Sequence, residues 1–331
     1  MLFMCPKFYK MKTIVLIPII LASFFYSCST KQEVKEEEEF PTHHFFESKE
    51  INQQLRDSIG NDHFVKLTDG FTYYELGGPE DAEETIVLVH GFSVPAYIWD
   101  STYTAAINKG YRVLRYDVIG RGFSDRPKVV YDINLSYRQL DELITKLNIK
   151  TPINLVGLSW GGRIVSHYAA MQPSKINKLI LVDPSGFEPV EKKDSLPVKL
   201  SDREVAKALR DRAPGMAESQ LADFYDPTKF AYWPALYLPQ MEYKGFVHAL
   251  LSTEKNKRSF TSYMAKVANA NVRVKMIMGE QDKVVLPEKT VPAAKEQIPT
   301  IDISLIENAG HLPHLEQTAE FNKVFFDFLE N

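Results

Sequence analysis

Gly157-Leu158-Ser159-Trp160-Gly161-Gly162 constrains this chain more than any other stretch. It follows an apolar run, Ile153 to Val156, that reads as a buried strand. It precedes Arg163 to Met171, which reads as a helix. A serine held between glycines at a sharp strand-to-helix turn is a nucleophile elbow. The glycines have a steric reason. The backbone is strained at the serine, and side chains at Gly157 or Gly161 would crowd the adjoining strand and helix. The helix that follows aims its N-terminus at a centre where negative charge can develop. The same letters also fit a plain glycine-rich turn with a capping serine; the strand before and the helix after favour the elbow.

The rest of the chain supplies matching units. Phe64 to Leu67 and Phe71 to Leu76 flank Asp69-Gly70 and read as a hairpin. Thr85 to Val89, Tyr111 to Tyr116 and Lys178 to Val182 are further strands, with helices at Trp99 to Asn108 and from a capping box at Ser136-x-x-Gln139 to about Leu147. This alternation predicts an α/β fold with a mostly parallel, doubly wound sheet, whose active site lies at the carboxyl ends of the strands. After Ser185 the alternation stops until Val274. Residues 186–265 therefore read as an inserted helical cap, with a capping box at Ser201-x-x-Glu204, helical stretches at Met216 to Tyr225 and Lys244 to Leu251, and an aromatic, proline-rich segment from Phe224 to Tyr243. The core is 61–185 and 266–331. It closes with strands at Val274 to Met278 and Ile301 to Ile306 and a helix at Ala319 to Leu329.

The first residues are a separate unit. Lys7, Lys10 and Lys12 precede an apolar run from Thr13 to Tyr26, shorter than the roughly 20 residues that span a bilayer and suited to a signal peptide. Translation from Met11 would give a more compact leader. Cys28 follows directly, and the 1–28 leader resembles a bacterial lipoprotein signal, in which that thiol is lipidated and becomes the mature N-terminus. Phe25 and Tyr26 depart from the leucine-like and small residues usual there. A cleaved signal without lipid and an uncleaved anchor are the alternatives. Residues 29–60 form an acidic tether with Glu36 to Glu39 in a row, resembling surface-export signals of some lipoproteins; Ile51 to Ile59 suits a short helix. The expected location is the bacterial cell envelope, lipid-anchored to a membrane, or else secreted or periplasmic. The two cysteines, Cys5 and Cys28, both lie in the leader, so the folded body has no disulfide, thiol nucleophile or cysteine metal site. A net charge of -4 gives no reason to expect nucleic acid.

A serine hydroxyl needs a histidine to take its proton and a carboxylate to orient that histidine. Gly279-Glu280-Gln281-Asp282 follows one late strand, and Asn308-Ala309-Gly310-His311 follows the last. His90-Gly91, Asp117-x-x-Gly120-x-Gly122-x-Ser124, the elbow, Gly279-x-x-Asp282 and Gly310-His311, in that order from Phe64 to the C-terminus, resemble the α/β-hydrolase superfamily. The resemblance implies that fold, with Ser159 as nucleophile, His311 as general base and acid, and Asp282 as orienting acid. It also implies an oxyanion hole from the backbone N–H groups of Phe92 and Trp160. It does not name a substrate.

Asp183, also at a strand end, is the competing acid, and otherwise a hydrogen-bonded structural residue before Pro184. His314 competes with His311. Glu280 reads as solvated, His167 as core, His90 as hydrogen-bonded within its turn, and Asp117 and Arg121 as shaping their loop. His43, His44, His63 and His248 show no ligand spacing, so no metal is expected, nor a cofactor. Haloalkane dehalogenases and epoxide hydrolases use an aspartate where Ser159 stands. Proline iminopeptidases carry His-Gly-Gly-Pro-Gly where this chain has His90-Gly91-Phe92-Ser93-Val94-Pro95. The expected activity is cleavage of a small-molecule carboxylic ester. A C–C bond or amide hydrolase on the same triad, or a non-catalytic binding protein, are the alternatives.

Overall fold

The computed structural model describes residues 46–187, 197–257 and 261–331. The leader, Cys28 and the first part of the acidic tether lie outside them. The described strands are β1 (Phe64–Leu67), β2 (Gly70–Gly77), β3 (Thr85–Val89), β4 (Arg112–Tyr116), β5 (Ile153–Leu158), β6 (Ile176–Val182), β7 (Arg273–Gly279) and β8 (Asp302–Ile306). They form one sheet in the order β1-β2-β4-β3-β5-β6-β7-β8. β1 and β2 pair antiparallel, as do β2 and β4; every pairing from β4 to β8 is parallel. This is the α/β-hydrolase fold that the motifs implied.

Successive residues of a strand face opposite sides, so a continuous apolar run needs cover on both. In β3, Val87 and Val89 join a core with Leu155, Leu140 and Ile164, while Ile86 and Leu88 join a second core with Trp99, Phe321 and Phe325. Full burial of such a side chain stabilises by roughly 1.5–3 kcal/mol, which makes the strand placement hard to shift. The helices that supply this cover are α2 (Asp100–Asn108), α3 (Ile133–Lys146), α4 (Trp160–Met171) and, at the C-terminus, Thr318–Glu330. A shorter α1 (Gln53–Ile59), capped by the Asn52 side chain, precedes the sheet.

The start of α3 differs from expectation. Asp132, not Ser136, is the N-cap, accepting from the Leu135 N–H at 3.0 Å. Ser136 and Gln139 are buried inside the helix. The Gln139 amide accepts from the Ile119 N–H at 2.8 Å and donates to Thr72 Oγ1 at 2.9 Å, which holds the loop after β4.

Between β6 and β7 the described residues hold α5 (Asp202–Arg212), α6 (Met216–Ser219), α7 (Trp233–Met241), α8 (Phe246–Lys255) and α9 (Thr261–Asn269). The Ser201–Glu204 capping box opens α5. α7 was not expected: Pro234 suits its first turn, and Pro239 is tolerated close to its end. α9 packs back on α4, with the Tyr263 ring 4.3 Å from His167, so the expected edge at 265 falls inside a helix that belongs with the core. α10 (Pro287–Gln297) and a short α11 (Pro313–Glu316) precede α12 (Thr318–Glu330).

The end of the expected tether lies against the fold. The Glu47 N–H donates to the Met241 carbonyl at 3.0 Å, and Lys49 bridges to Tyr243. The backbone there pairs like an added strand, which a solvated acidic linker would not do.

Candidate active site

Ser159 sits between the last residue of β5 and the first of α4 at φ 52° and ψ −113°. Few side chains tolerate such a backbone, and the turn is held from three sides. The Ser159 N–H donates to the Val182 carbonyl at 2.9 Å, and the Ser159 carbonyl accepts from the N–H groups of Gly162 at 3.0 Å and Ser185 at 3.2 Å. A Cβ on Gly157 would stand 2.5 Å from the Gly161 carbonyl oxygen, so the elbow closes only with glycine there.

Asp282 and His311 follow the adjacent strands β7 and β8, and their loops touch. A Cβ on Gly279 would meet the Ala309 carbonyl oxygen at 2.6 Å. The Gln281 N–H donates to the Ala309 carbonyl at 3.0 Å, and the Gln281 side chain accepts from the Ala309 N–H at 3.2 Å. Across this junction His311 Nδ1 lies 2.7 Å from Asp282 Oδ2, both residues buried. Asp282 Oδ1 accepts from the N–H groups of Val284 at 2.7 Å and Val285 at 3.0 Å, which fixes the carboxylate plane. An ionised Asp282 requires the proton on Nδ1, leaving Nε2 as the free base.

The electrostatics agree with that tautomer. Burial works to raise the Asp282 carboxyl, but the hydrogen bond and charge of His311 outweigh it and hold the carboxyl below its ordinary value. Burial works against protonation of His311, yet Asp282 raises it above the ordinary histidine value. Each partner stabilises the other's charge.

Ser159 and His311 open onto one cavity of about 170 Å³, with Gly91, Phe92, Asp223 and Val284 on its wall. Gly91 approaches closely: a Cβ there would stand 3.4 Å from the Ser159 Cβ. His90 Nε2 accepts from the Val118 N–H at 2.8 Å, so its proton is on Nδ1, which donates to the Gly91 carbonyl at 2.9 Å. That carbonyl and the Phe92 N–H share one trans peptide plane, so holding the first aims the second in the opposite direction. Burial drives His90 down to about 3, and the ring is neutral. The Trp160 N–H stands at the first helical position, where no carbonyl of its own helix accepts it.

Other candidates fall elsewhere. His314 packs on Trp99 with ring centroids 4.6 Å apart and the planes tilted by 38°, and Nε2 lies 3.0 Å from the Ile98 carbonyl. Glu280 is exposed. Asp117 is buried and accepts from the N–H groups of Ala96 at 2.8 Å and Phe123 at 2.7 Å. Among the described residues, Asp183, Asp282 and His311 form a cluster whose donor atoms could share a cation. The 2.7 Å contact between His311 and Asp282 engages two of those donors with each other.

Sequence reasoning missed Gln220, Asp223 and Glu316. The first two reach the cavity from the inserted segment, and the Asp223 carbonyl accepts from the His311 N–H at 2.7 Å. Glu316 accepts from the N–H groups of Gly310 and Tyr225, each at 2.7 Å, and so ties the His311 loop to the insertion. For Glu316 the available signal was an acidic residue five positions past His311. A second cavity of about 180 Å³ shares Phe92, Ser93 and Gln220 with the first and runs between Ala208, Tyr237 and Leu250 of the inserted helices.

A strained serine, a histidine paired to a carboxylate and a covered cavity at the carboxyl ends of a parallel sheet define the class. Residues 86–324 match the alpha/beta hydrolase family, and the chain belongs to it. It is similar to Lipase 1 of Psychrobacter immobilis, at 29% identity over 280 residues, 79% of this chain and 82% of that one. It is also similar to Lipase 3 of a Moraxella species, at 28% identity over 267 residues, 75% of this chain and 78% of that one. The structure of an esterase from Exiguobacterium antarcticum superposes with a TM-score of 0.67 at 21% identity, covering 81% of this chain and 99% of the esterase, a likeness of fold.

Proposed function

We propose that this protein is a serine hydrolase that cleaves carboxylic esters through an acyl-enzyme. The observation that carries the reading is the 2.7 Å contact of His311 Nδ1 with Asp282, on a histidine that shares one cavity with Ser159. His311 Nε2 takes the Ser159 proton as Oγ attacks the ester carbonyl, then gives it to the leaving alkoxide. Water, deprotonated by the same nitrogen, releases the acid and restores the serine. Asp282 holds the tautomer and stabilises the imidazolium. The Phe92 and Trp160 N–H groups donate to the oxyanion, where loss of one donor typically costs about a hundredfold or more. The similarity to two lipases supports an ester as the substrate. Anchoring through lipid on Cys28, which would hold the enzyme at a bacterial envelope membrane, belongs to the same proposal and is tested by a shift of Cys28→Ala from the membrane to the soluble fraction.

The test is hydrolysis of p-nitrophenyl acetate, butyrate and a long-chain ester by wild type and Ser159→Ala. Turnover that falls about 10⁴-fold or more in the variant is expected. No turnover by a folded wild-type protein on any of the three would sink the ester reading. Labelling by a fluorophosphonate without ester turnover would favour C–C or amide hydrolysis.

A further inference from the structure

Asp183 follows β6 directly, at a φ of 40°, and is fully buried. Its Oδ1 accepts from the Gly279 N–H at 2.9 Å. Its Oδ2 is buried too, and no N–H or hydroxyl among the described residues donates to it. It stands beside the triad: one oxygen of Asp183, one of Asp282 and a ring nitrogen of His311 all lie within 4.8 Å of one another. Two buried carboxyl groups so placed oppose each other's ionisation, which favours a proton on one of them. The donors decide which. Asp282 receives the His311 ring N–H and two backbone N–H groups, while Asp183 receives one.

We propose that Asp183 is a neutral carboxylic acid whose Oδ2–H donates to the Asp282 carboxylate, making it a positioning residue for the triad. The proposal rests on the triad reading above. The proton stays on Asp183 throughout turnover. Its donation satisfies an otherwise orphaned buried oxygen and draws charge from Asp282, which limits how strongly Asp282 raises the basicity of His311. Burial and the charge of Asp282 hold the Asp183 carboxyl well above its ordinary value, and Asp282 lies below its own. The other charged groups around the pair reinforce this: Glu316 disfavours charge on Asp183, and Asp223 and Glu316 favour it on His311.

An asparagine has the same shape and the same donor and acceptor as a neutral aspartic acid, so Asp183→Asn is the decisive variant. In the full-length protein it is expected to keep kcat within about threefold of wild type, with the acidic limb of the pH profile unmoved. Asp183→Ala removes the donor. Its kcat is expected to fall about tenfold or more with KM little changed, and its acidic limb to move to higher pH as Asp282 pulls harder on His311. Asp282→Asn should lose far more. Asp183→Asn falling to the level of Asp282→Asn, or its acidic limb moving to lower pH, would overturn the proposal by making Asp183 an ionised acid. Should Asp183→Ala not fold, an infrared difference spectrum of wild type against Asp183→Asn at neutral pH decides. A protonated carboxyl stretch, shifted in D2O and lost in the variant, is expected; its absence overturns the proposal. That readout needs no turnover, so it stands apart from failure of the ester reading.

Discussion

Arg121 Nε donates to the Phe92 carbonyl at 2.9 Å, and a terminal nitrogen of the same guanidinium donates to Thr253 Oγ1, on α8, at 2.9 Å. One fully buried side chain thus joins the loop beside the serine to the inserted helices, with a further 3.3 Å bond to the Ile119 carbonyl. Arg121→Met keeps the bulk and removes the donors. The part-buried Phe92 carbonyl then loses this donor, at a cost of about 1–3 kcal/mol. The expected result is a lower urea midpoint and a kcat reduced about tenfold or more, as the loop carrying the proposed Phe92 donor loses its tie to α8. An unchanged kcat in a folded variant would show that the loop holds itself.

Gly279 lets the two loops of the His–Asp pair touch, and Gly310 lets the His311 loop approach the backbone of Asp223 to Tyr225. Gly279→Ala puts a methyl into the Ala309 and Gly310 backbone oxygens. Backbone cannot step aside as a flexible side chain can, so the loops must part. A fall in Tm together with a loss of fluorophosphonate labelling of about a hundredfold is expected, measured by circular dichroism and a labelling time course.

Burial pushes the carboxyl of Asp223, which lines the cavity that Ser159 and His311 share, up to about 6. It is neutral below that pH and anionic above it. The ratio of kcat/KM for an ester bearing a carboxylate to that for a neutral ester of equal length should therefore fall as pH rises through about 6. Taking the ratio cancels the titration of His311. The drop is expected to reach about tenfold, and Asp223→Asn should abolish it.

Burial holds His314 down at about 3, and in the unfolded chain a histidine titrates near 6.5. Between those values the unfolded state binds the extra proton, so stability falls as pH drops from about 6.5 towards 3, by at most about 1.4 kcal/mol per pH unit from this group. His314→Gln can still donate to the Ile98 carbonyl and cannot titrate. Urea midpoints across that window should fall less steeply in the variant; parallel curves would contradict the buried neutral state.

The strands were legible because each is a short apolar or alternating run between turn residues, and a parallel sheet buries both faces. The Ser201–Glu204 box read correctly because its residues stay outside the core, whereas Ser136 and Gln139, in the same spacing, are buried, Gln139 bonded to the loop after β4. α7 was hidden because prolines and aromatics obscure helical periodicity. The triad candidates were visible from their glycine context at strand ends. Gln220 and Asp223 were not, because their place in the cavity depends on how the insertion folds over the sheet, a long-range relationship with no local pattern. Asp183 was visible as a residue, but its partner became evident only when β6 and β7 lay side by side.

The central claim is that Ser159 is a nucleophile served by His311. The most direct measurement is treatment of the full-length protein with a fluorophosphonate, with the modified peptide mapped by mass spectrometry and the rate followed against pH. A single adduct on Ser159 is expected, absent from Ser159→Ala and slowed about a thousandfold or more in His311→Ala, with a rate that rises as His311 loses its proton. A folded protein that takes no label on Ser159, or takes it as fast without His311, would contradict the claim.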